Sequence, residues 1–185
     1  MNPAEEREWL DQLRSGRGSA LRQLMDSYGN DIYRTAFLLL KDRHLAEDIS
    51  QEAFLAAFRN IRQFNGTGSL KGWLLQITVN LCRGKMRRAS WKRLIFREIA
   101  DYELPSAEPG PEKAADGLSL TYAIRQLPYK YREAIVLHYY QGLSVKEMGG
   151  VLEESEGTVK SKLSRGRKLL RAKLEEGGWN DGDGF

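Results

Sequence analysis

The chain has 185 residues, 41% apolar and 29% charged, with 29 Lys and Arg against 25 Asp and Glu and a net charge of +4. That length fits one domain or two small ones, and the composition suits a packed core rather than disorder. A single cysteine, Cys82, excludes an intrachain disulfide and a Cys-rich zinc site, and two isolated histidines, His44 and His138, do not rescue a metal site. The strongest apolar run, residues 36–40, is far shorter than the roughly 20 residues of a membrane span. The N-terminus is acidic and polar, unlike a signal peptide. The expected place is therefore the cytoplasm, without membrane insertion, and no cofactor is expected.

The chain opens into helices. Leu21, Leu24, Met25, Tyr28, Ile32, Ala36 and Leu39 recur with helical spacing, as do Ala46, Ile49, Ala53, Ala57, Ile61 and Phe64. The polar stretch 41–44 connects the two. The segment 65–69 is a loop ending in an N-cap, Ser69, and a third helix carries Trp73, Leu74, Ile77 and Leu81 on one face. Three of the five prolines, Pro105, Pro109 and Pro111, then fall in a stretch with six acids between Glu98 and Asp116 against one base, Lys113. That composition predicts an extended acidic linker. Beyond it, 119–126 is a short helical segment, Pro128 suits a helix first turn, and Gly142 suits a helix end. Ser144 to Glu147 reads as a capping box opening a short helix through Leu152, and Ser155 caps a longer one containing Val159, Leu163, Leu170 and Leu174. No useful alternating strand pattern appears. The expected architecture is all-α: two small helical domains, 1–95 and 118–176, joined by a linker at 96–117, with a tail at 177–185.

The positive charge is concentrated. Seven bases and no acid lie between Cys82 and Arg97, and seven and no acid again between Thr158 and Leu174. Two such runs, each closing a helical block, point to nucleic acid, with Trp91 and Phe96 available for stacking. The second run lies on the long helix of a short-helix, tight-turn, long-helix pattern. That is helix-turn-helix geometry, whose second helix enters the major groove.

These residues resemble a known family. The stretch 144–171, with Ser155-Glu-Gly-Thr-Val-Lys-Ser161 followed by Ser164-Arg-Gly-Arg167, resembles region 4 of bacterial sigma factors, in particular the extracytoplasmic-function (ECF, group IV) class. Residues 127–137 match the helix preceding that motif. Ala46-Glu-Asp-Ile-Ser-Gln-Glu-Ala-Phe54 resembles region 2.2, Phe64-Asn-Gly-Thr-Gly-Ser69 the region 2.3 loop, and Trp73 to Asn80 with the basic run after it region 2.4. Asp48, Gln51, Glu52 and Leu55 share one helix face by spacing.

The resemblance implies a non-enzymatic sigma factor. It would bind core RNA polymerase through Asp48, Gln51, Glu52 and Leu55. The −10 element would be held as melted strand by Phe64, Asn65, Gly66, Ser69, Trp73 and Asn80, with Arg83, Lys85, Arg87 and Arg88 on phosphates. The −35 duplex would be read by Ser155, Glu156, Thr158, Lys160, Ser161, Lys162 and Arg165. An anti-sigma factor is the further partner implied, and it would hold the nucleoid-associated protein inactive, in some relatives at the membrane. The chain departs from the family at the helix turn. Leu152-Glu153-Glu154-Ser155 lacks the usual small and apolar pair, and Gly149-Gly150 replaces the usual alanine, so a looser or shifted turn and weaker −35 binding are expected.

Two rivals remain. A plain helix-turn-helix regulator that does not enter polymerase explains 118–175 but leaves the Asp48–Leu55 face unused. A metal-dependent nuclease on Glu47, Asp48 and Glu52 lacks a nucleophile, a general base and further ligands.

Overall fold

The computed structural model describes residues 3–66, 68–97 and 116–176, which form helices with no strand among them. The readings of 98–115 as linker and 177–185 as tail lie outside the described residues.

Helix α1 (Pro3–Arg14) was not foreseen, because its N-terminal half is acidic and only Trp9, Leu10 and Leu13 carry apolar surface. Those few suffice. Trp9 and Leu13 are buried, Trp9 Nε1 donates to the Ala20 carbonyl at 3.2 Å, and the indole stacks on Tyr28. Helix α2 (Gly18–Leu40) ends at Lys41, which adopts a left-handed backbone with φ 64°. Asp42 then caps α3 (Arg43–Asn60) by accepting from the Leu45 amide at 2.9 Å. The polar connection read at 41–44 is thus a C-cap followed at once by an N-cap. Ala46, Ala53 and Ala57 are fully buried on α3, which lets α2 lie close against it. A 3-10 turn (Ile61–Gln63) leads to the loop before α4 (Leu70–Arg97), where Ser69 accepts from the Gly72 amide at 3.0 Å. Leu24, Leu39, Leu74 and Leu75 are sealed between these helices.

The second unit comprises α5 (Asp116–Gln126), α6 (Tyr129–Ile135), a π-helical turn (Val136–Tyr140), α7 (Val145–Leu152) and α8 (Glu156–Glu176). Pro128 sits just ahead of α6, where a missing amide costs nothing. The π turn was not legible in the sequence. The Gln141 amide reaches back to the Val136 carbonyl at 3.2 Å, and Gly142, at φ 69°, ends the run. The capping box at Ser144 and Glu147 is formed in both directions. Gly166 on α8 marks the closest approach to α6, since a Cβ there would stand 3.0 Å from Ile135 Cγ1.

The two units pack together, α2 against α5, α6 and the π turn, and α4 against α7. Gln141 Nε2 donates to the Asp31 carbonyl at 3.1 Å and to Thr35 Oγ1 at 2.9 Å. Lys71 pairs with Asp31 at 2.9 Å and donates to the Gln141 carbonyl. Arg125 lies over the Phe37 ring and donates to the Lys41 carbonyl at 2.6 Å. No helix of the described residues is long and apolar enough to cross a membrane.

The core predicts a contrast. Leu75→Ala removes a fully buried side chain and should cost about 2–5 kcal/mol, whereas Met25→Ala, at a 43% exposed position, should cost less than about 0.5 kcal/mol. Urea-unfolding midpoints of the two variants check this.

Candidate nucleic-acid interface

Helix α3 turns its alanines and Phe54 inward, and this forces Asp48, Gln51, Glu52 and Leu55 outward. Leu55 is 46% exposed, a large apolar side chain facing water between acids. No side-chain hydrogen bond or ion pair among the described residues engages Asp48, Gln51 or Glu52. Glu47, by contrast, pairs with Arg43 at 3.5 Å. No three His, Cys, Asp or Glu side chains among the described residues converge as a metal site would require.

The loop before α4 divides its residues. Phe64 is buried, its ring centroid 5.5 Å from that of half-buried Trp73, and its carbonyl accepts from Arg14. That aromatic pair is the floor of the loop. Asn65, Gly66 and Ser69 are exposed above it, and Gly66 holds φ 79°, a left-handed conformation natural to glycine. Asn80, Lys85, Arg87 and Arg88 are exposed along α4. Arg83 is not free. Its guanidinium forks onto Glu133, Nε to Oε2 at 3.0 Å and Nη2 to Oε1 at 2.9 Å, and Nη1 donates to the Leu152 carbonyl. Burial alone would lower the pKa of Arg83, but the hydrogen bond and charge of Glu133 outweigh it and the pKa ends raised.

On α8, Ser155 Oγ accepts from the Thr158 amide at 3.2 Å, so the helix N-terminus is capped by its own serine. Ser155, Glu156, Thr158, Lys160, Ser161 and Arg165 are exposed. Of these, Ser155, Thr158, Ser161 and Arg165, with Lys162, border a groove of about 520 Å³ whose other wall is Lys130 and Tyr131, while Glu156 and Lys160 lie outside it. A hydrogen bond from Arg165 pulls the Tyr131 phenol below its ordinary pKa. Lys162 also lines the groove, but its ammonium is taken up by acids. Its Nζ donates to Glu154 at 2.6 Å and to Glu133 at 2.9 Å, and these acids raise its pKa against the opposing effect of burial.

The helix turn is closed, which corrects the expectation of a looser one. Glu153 takes φ 58°, ψ 45°, a conformation an acid adopts reluctantly, and the Glu154 amide donates to the Gly149 carbonyl at 3.0 Å. A Cβ on Gly149 would stand 3.0 Å from the Glu154 carbonyl oxygen, so the missing side chain makes room for the turn.

Two sequence families match this arrangement, "Sigma-70 region 2" over residues 24–92 and "Sigma-70, region 4" over 117–170. The ECF RNA polymerase sigma factor SigW of Bacillus subtilis is 34% identical over 178 residues, covering 90% of this chain and 95% of the relative. This chain belongs to the ECF sigma factors. SigM of the same organism is 31% identical, covering 84% of this chain and 95% of its own. The sigma factor also shares its fold with RpoE of Bartonella quintana, solved with the anti-sigma factor NepR, at TM-score 0.68 and 25% identity over 83% of this chain and 96% of that one. CnrH, solved with the cytosolic domain of CnrY, gives TM-score 0.67 and 25% identity over 92% and 97%.

In this sigma factor Cys82 lies in α4 where region 2 meets region 4. It is fully buried, and burial pushes its thiol from an ordinary 9.0 up to about 12. Tyr129, also raised chiefly by burial, and Arg132, lowered by it, share that dry setting. Cys82 should therefore resist a water-soluble disulfide reagent at pH 8 in the native chain and react at once in denaturant, as the release of chromophore would show. Folding favours the protonated thiol, so the contribution of Cys82 to stability is full below pH 9 and is lost as pH rises toward 12.

Proposed function

We propose that this ECF sigma factor binds core RNA polymerase and directs promoter-specific initiation. Region 2, residues 1–95, engages the polymerase and the melted −10 strand, and region 4, residues 118–176, reads the −35 duplex. The observation that carries this reading is the match of both sigma regions within one chain that also aligns over nearly the full length of SigW. A stand-alone helix-turn-helix regulator would need only the second region.

The geometry supports specific roles. The outward face of α3 presents Asp48, Gln51, Glu52 and Leu55 as a set, acids around an apolar centre, suited to a basic polymerase surface. Asn65, Gly66 and Ser69 lie exposed above Phe64 and Trp73, and Asn80 is exposed about two turns beyond Trp73 on α4; an extruded base would lie against this set. Phe64 acts there as floor rather than as an exposed stacking platform. Lys85, Arg87 and Arg88 continue along α4 toward phosphates. The α8 residues Ser155, Glu156, Thr158, Lys160, Ser161 and Arg165 face the major groove, with Lys130 and Arg165 flanking it. The chain works by binding and positioning, not by catalysis. RpoE of Bartonella quintana was solved with the anti-sigma factor NepR, and we extend that kind of partner to this chain. Such a partner would hold it at the membrane, and release would return it to the nucleoid.

Transcription with purified bacterial core polymerase on a genomic promoter library tests this. New discrete start sites are expected with the protein, and Asp48→Ala with Gln51→Ala should abolish them while leaving the fold intact by circular dichroism. Arg165→Ala should lower initiation from −35-dependent promoters about 5- to 100-fold, the worth of one good base or phosphate contact. DNA binding without initiation or co-elution with core would favour the plain regulator.

A further inference from the structure

Helix α1 lies wholly ahead of the sigma region 2 match, which begins at residue 24. It is nonetheless held firmly. Trp9 and Leu13 are buried, and Trp9 ties the helix to α2 through the Ala20 carbonyl and the Tyr28 ring. Its C-terminus is closed by a double cap. The Gly16 amide donates to the Leu13 carbonyl at 3.0 Å and the Arg17 amide to the Gln12 carbonyl at 3.2 Å, and Gly16 takes the left-handed φ of 74° that such a cap requires. Arg14 stands in that last turn, so its backbone is fixed. Its guanidinium is steered by Asp11, one turn back, with Nη1 donating to Oδ1 at 3.2 Å. Nη2 donates to the Phe64 carbonyl at 3.2 Å, 50 residues along the chain.

On the reading of the chain as a sigma factor, on which this rests, we propose that Arg14 is a positioning residue for the −10 loop, holding the Phe64–Asn65 peptide in the plane from which the loop takes an extruded base. Phe64 is pinned at three points. Its amide donates to the Ile61 carbonyl at 3.1 Å, its ring lies against Trp73, and its carbonyl accepts from Arg14. The first two fix the residue as far as its Cα and side chain. They leave its ψ free to turn, and with it the next peptide. A peptide unit is planar and trans, so a hydrogen bond on the Phe64 carbonyl also sets where the Asn65 amide and Cα lie. Beyond them the chain turns at Gly66, with φ 79°. The Arg14 contact thus sets the direction in which the exposed rim of Asn65, Gly66 and Ser69 leaves its aromatic floor. Arginine suits the task. Its planar fork divides between a carboxylate of its own helix and a neutral carbonyl of the loop, so Asp11 balances the charge and the loop is held without an acid of its own.

Two measurements on the full chain test this. In amide exchange followed by NMR, Arg14→Ala should speed exchange of the Phe64 amide about fivefold, the worth of one hydrogen bond. Arg14→Lys still offers a donor and should stay within about twofold of the parent. Unchanged exchange in Arg14→Ala overturns the anchor. With core polymerase, initiation is then read on two promoter libraries, one randomised over the −10 element and one over the −35 element. Arg14→Ala should flatten the base preference at the extruded −10 position about fivefold, and Arg14→Lys should restore it. The yield of holoenzyme and the −35 preference should not change. A loosened helix with no hold on the loop would lower initiation on every sequence alike, and that uniform loss, with the −10 preference intact, overturns the positioning role. Initiation by neither the variants nor the parent, with the exchange difference present, would instead bring down the sigma reading and leave the anchor standing.

Discussion

A carboxylate removed from water must bring its cations with it. Glu133 meets that condition with two, Arg83 from α4 and Lys162 from α8, and they come from opposite halves of the molecule. Much of the relation between the halves follows from this. Arg83 can reach Glu133 only if α4 crosses α7, and that crossing brings Gln76 to Glu153. The second junction, Gln141 against Asp31 and Thr35, ties the end of the π turn to α2. The π turn matters because its wider coil carries Gln141, a buried side chain, into that junction. A regular helix over the same five residues would rotate it away.

The packing of the two units does not treat all surfaces alike. The acidic face of α3 points away from region 4 and stays open, as does the groove at the start of α8. Only the Arg83 sector of α4 is covered. The α3 face is therefore accessible while the two units are packed, whereas the Arg83 guanidinium is held on Glu133. Lys85, Arg87 and Arg88 stay exposed and keep a positive field along α4.

Local signals in the sequence carried most of the fold. Apolar spacing placed α2, α3 and the start of α4, and capping serines 69, 144 and 155 marked where α4, α7 and α8 begin, because those choices are made within one or two turns. Helix α1 escaped, since its burial depends on one tryptophan meeting α2 rather than on a stripe of its own. The π turn escaped because nothing in residues 136–140 distinguishes it from an ordinary helix. The sites split in the same way. Exposure of the α3 face followed from periodicity alone. The burial of Phe64 beneath its loop, and the turning of Arg83 and Lys162 toward Glu133, depend on chain segments 50 and 29 residues distant and left no local trace.

The helix turn shows why a local departure can be informative. Glycine would be easier at Glu153 and an apolar residue would plug the turn better at Glu154. In an isolated helix-turn-helix these choices cost stability and gain nothing. Here both acids are satisfied by groups outside their own turn, and Gly149 gives the Glu154 carbonyl the space it needs. Nothing in the structure explains Gly150. A sequence that breaks a local rule at adjacent positions is repaid here at Glu153 by Gln76 of α4 and at Glu154 chiefly by Lys162 of α8. The acids of the turn therefore answer to two neighbouring helices rather than to the turn alone.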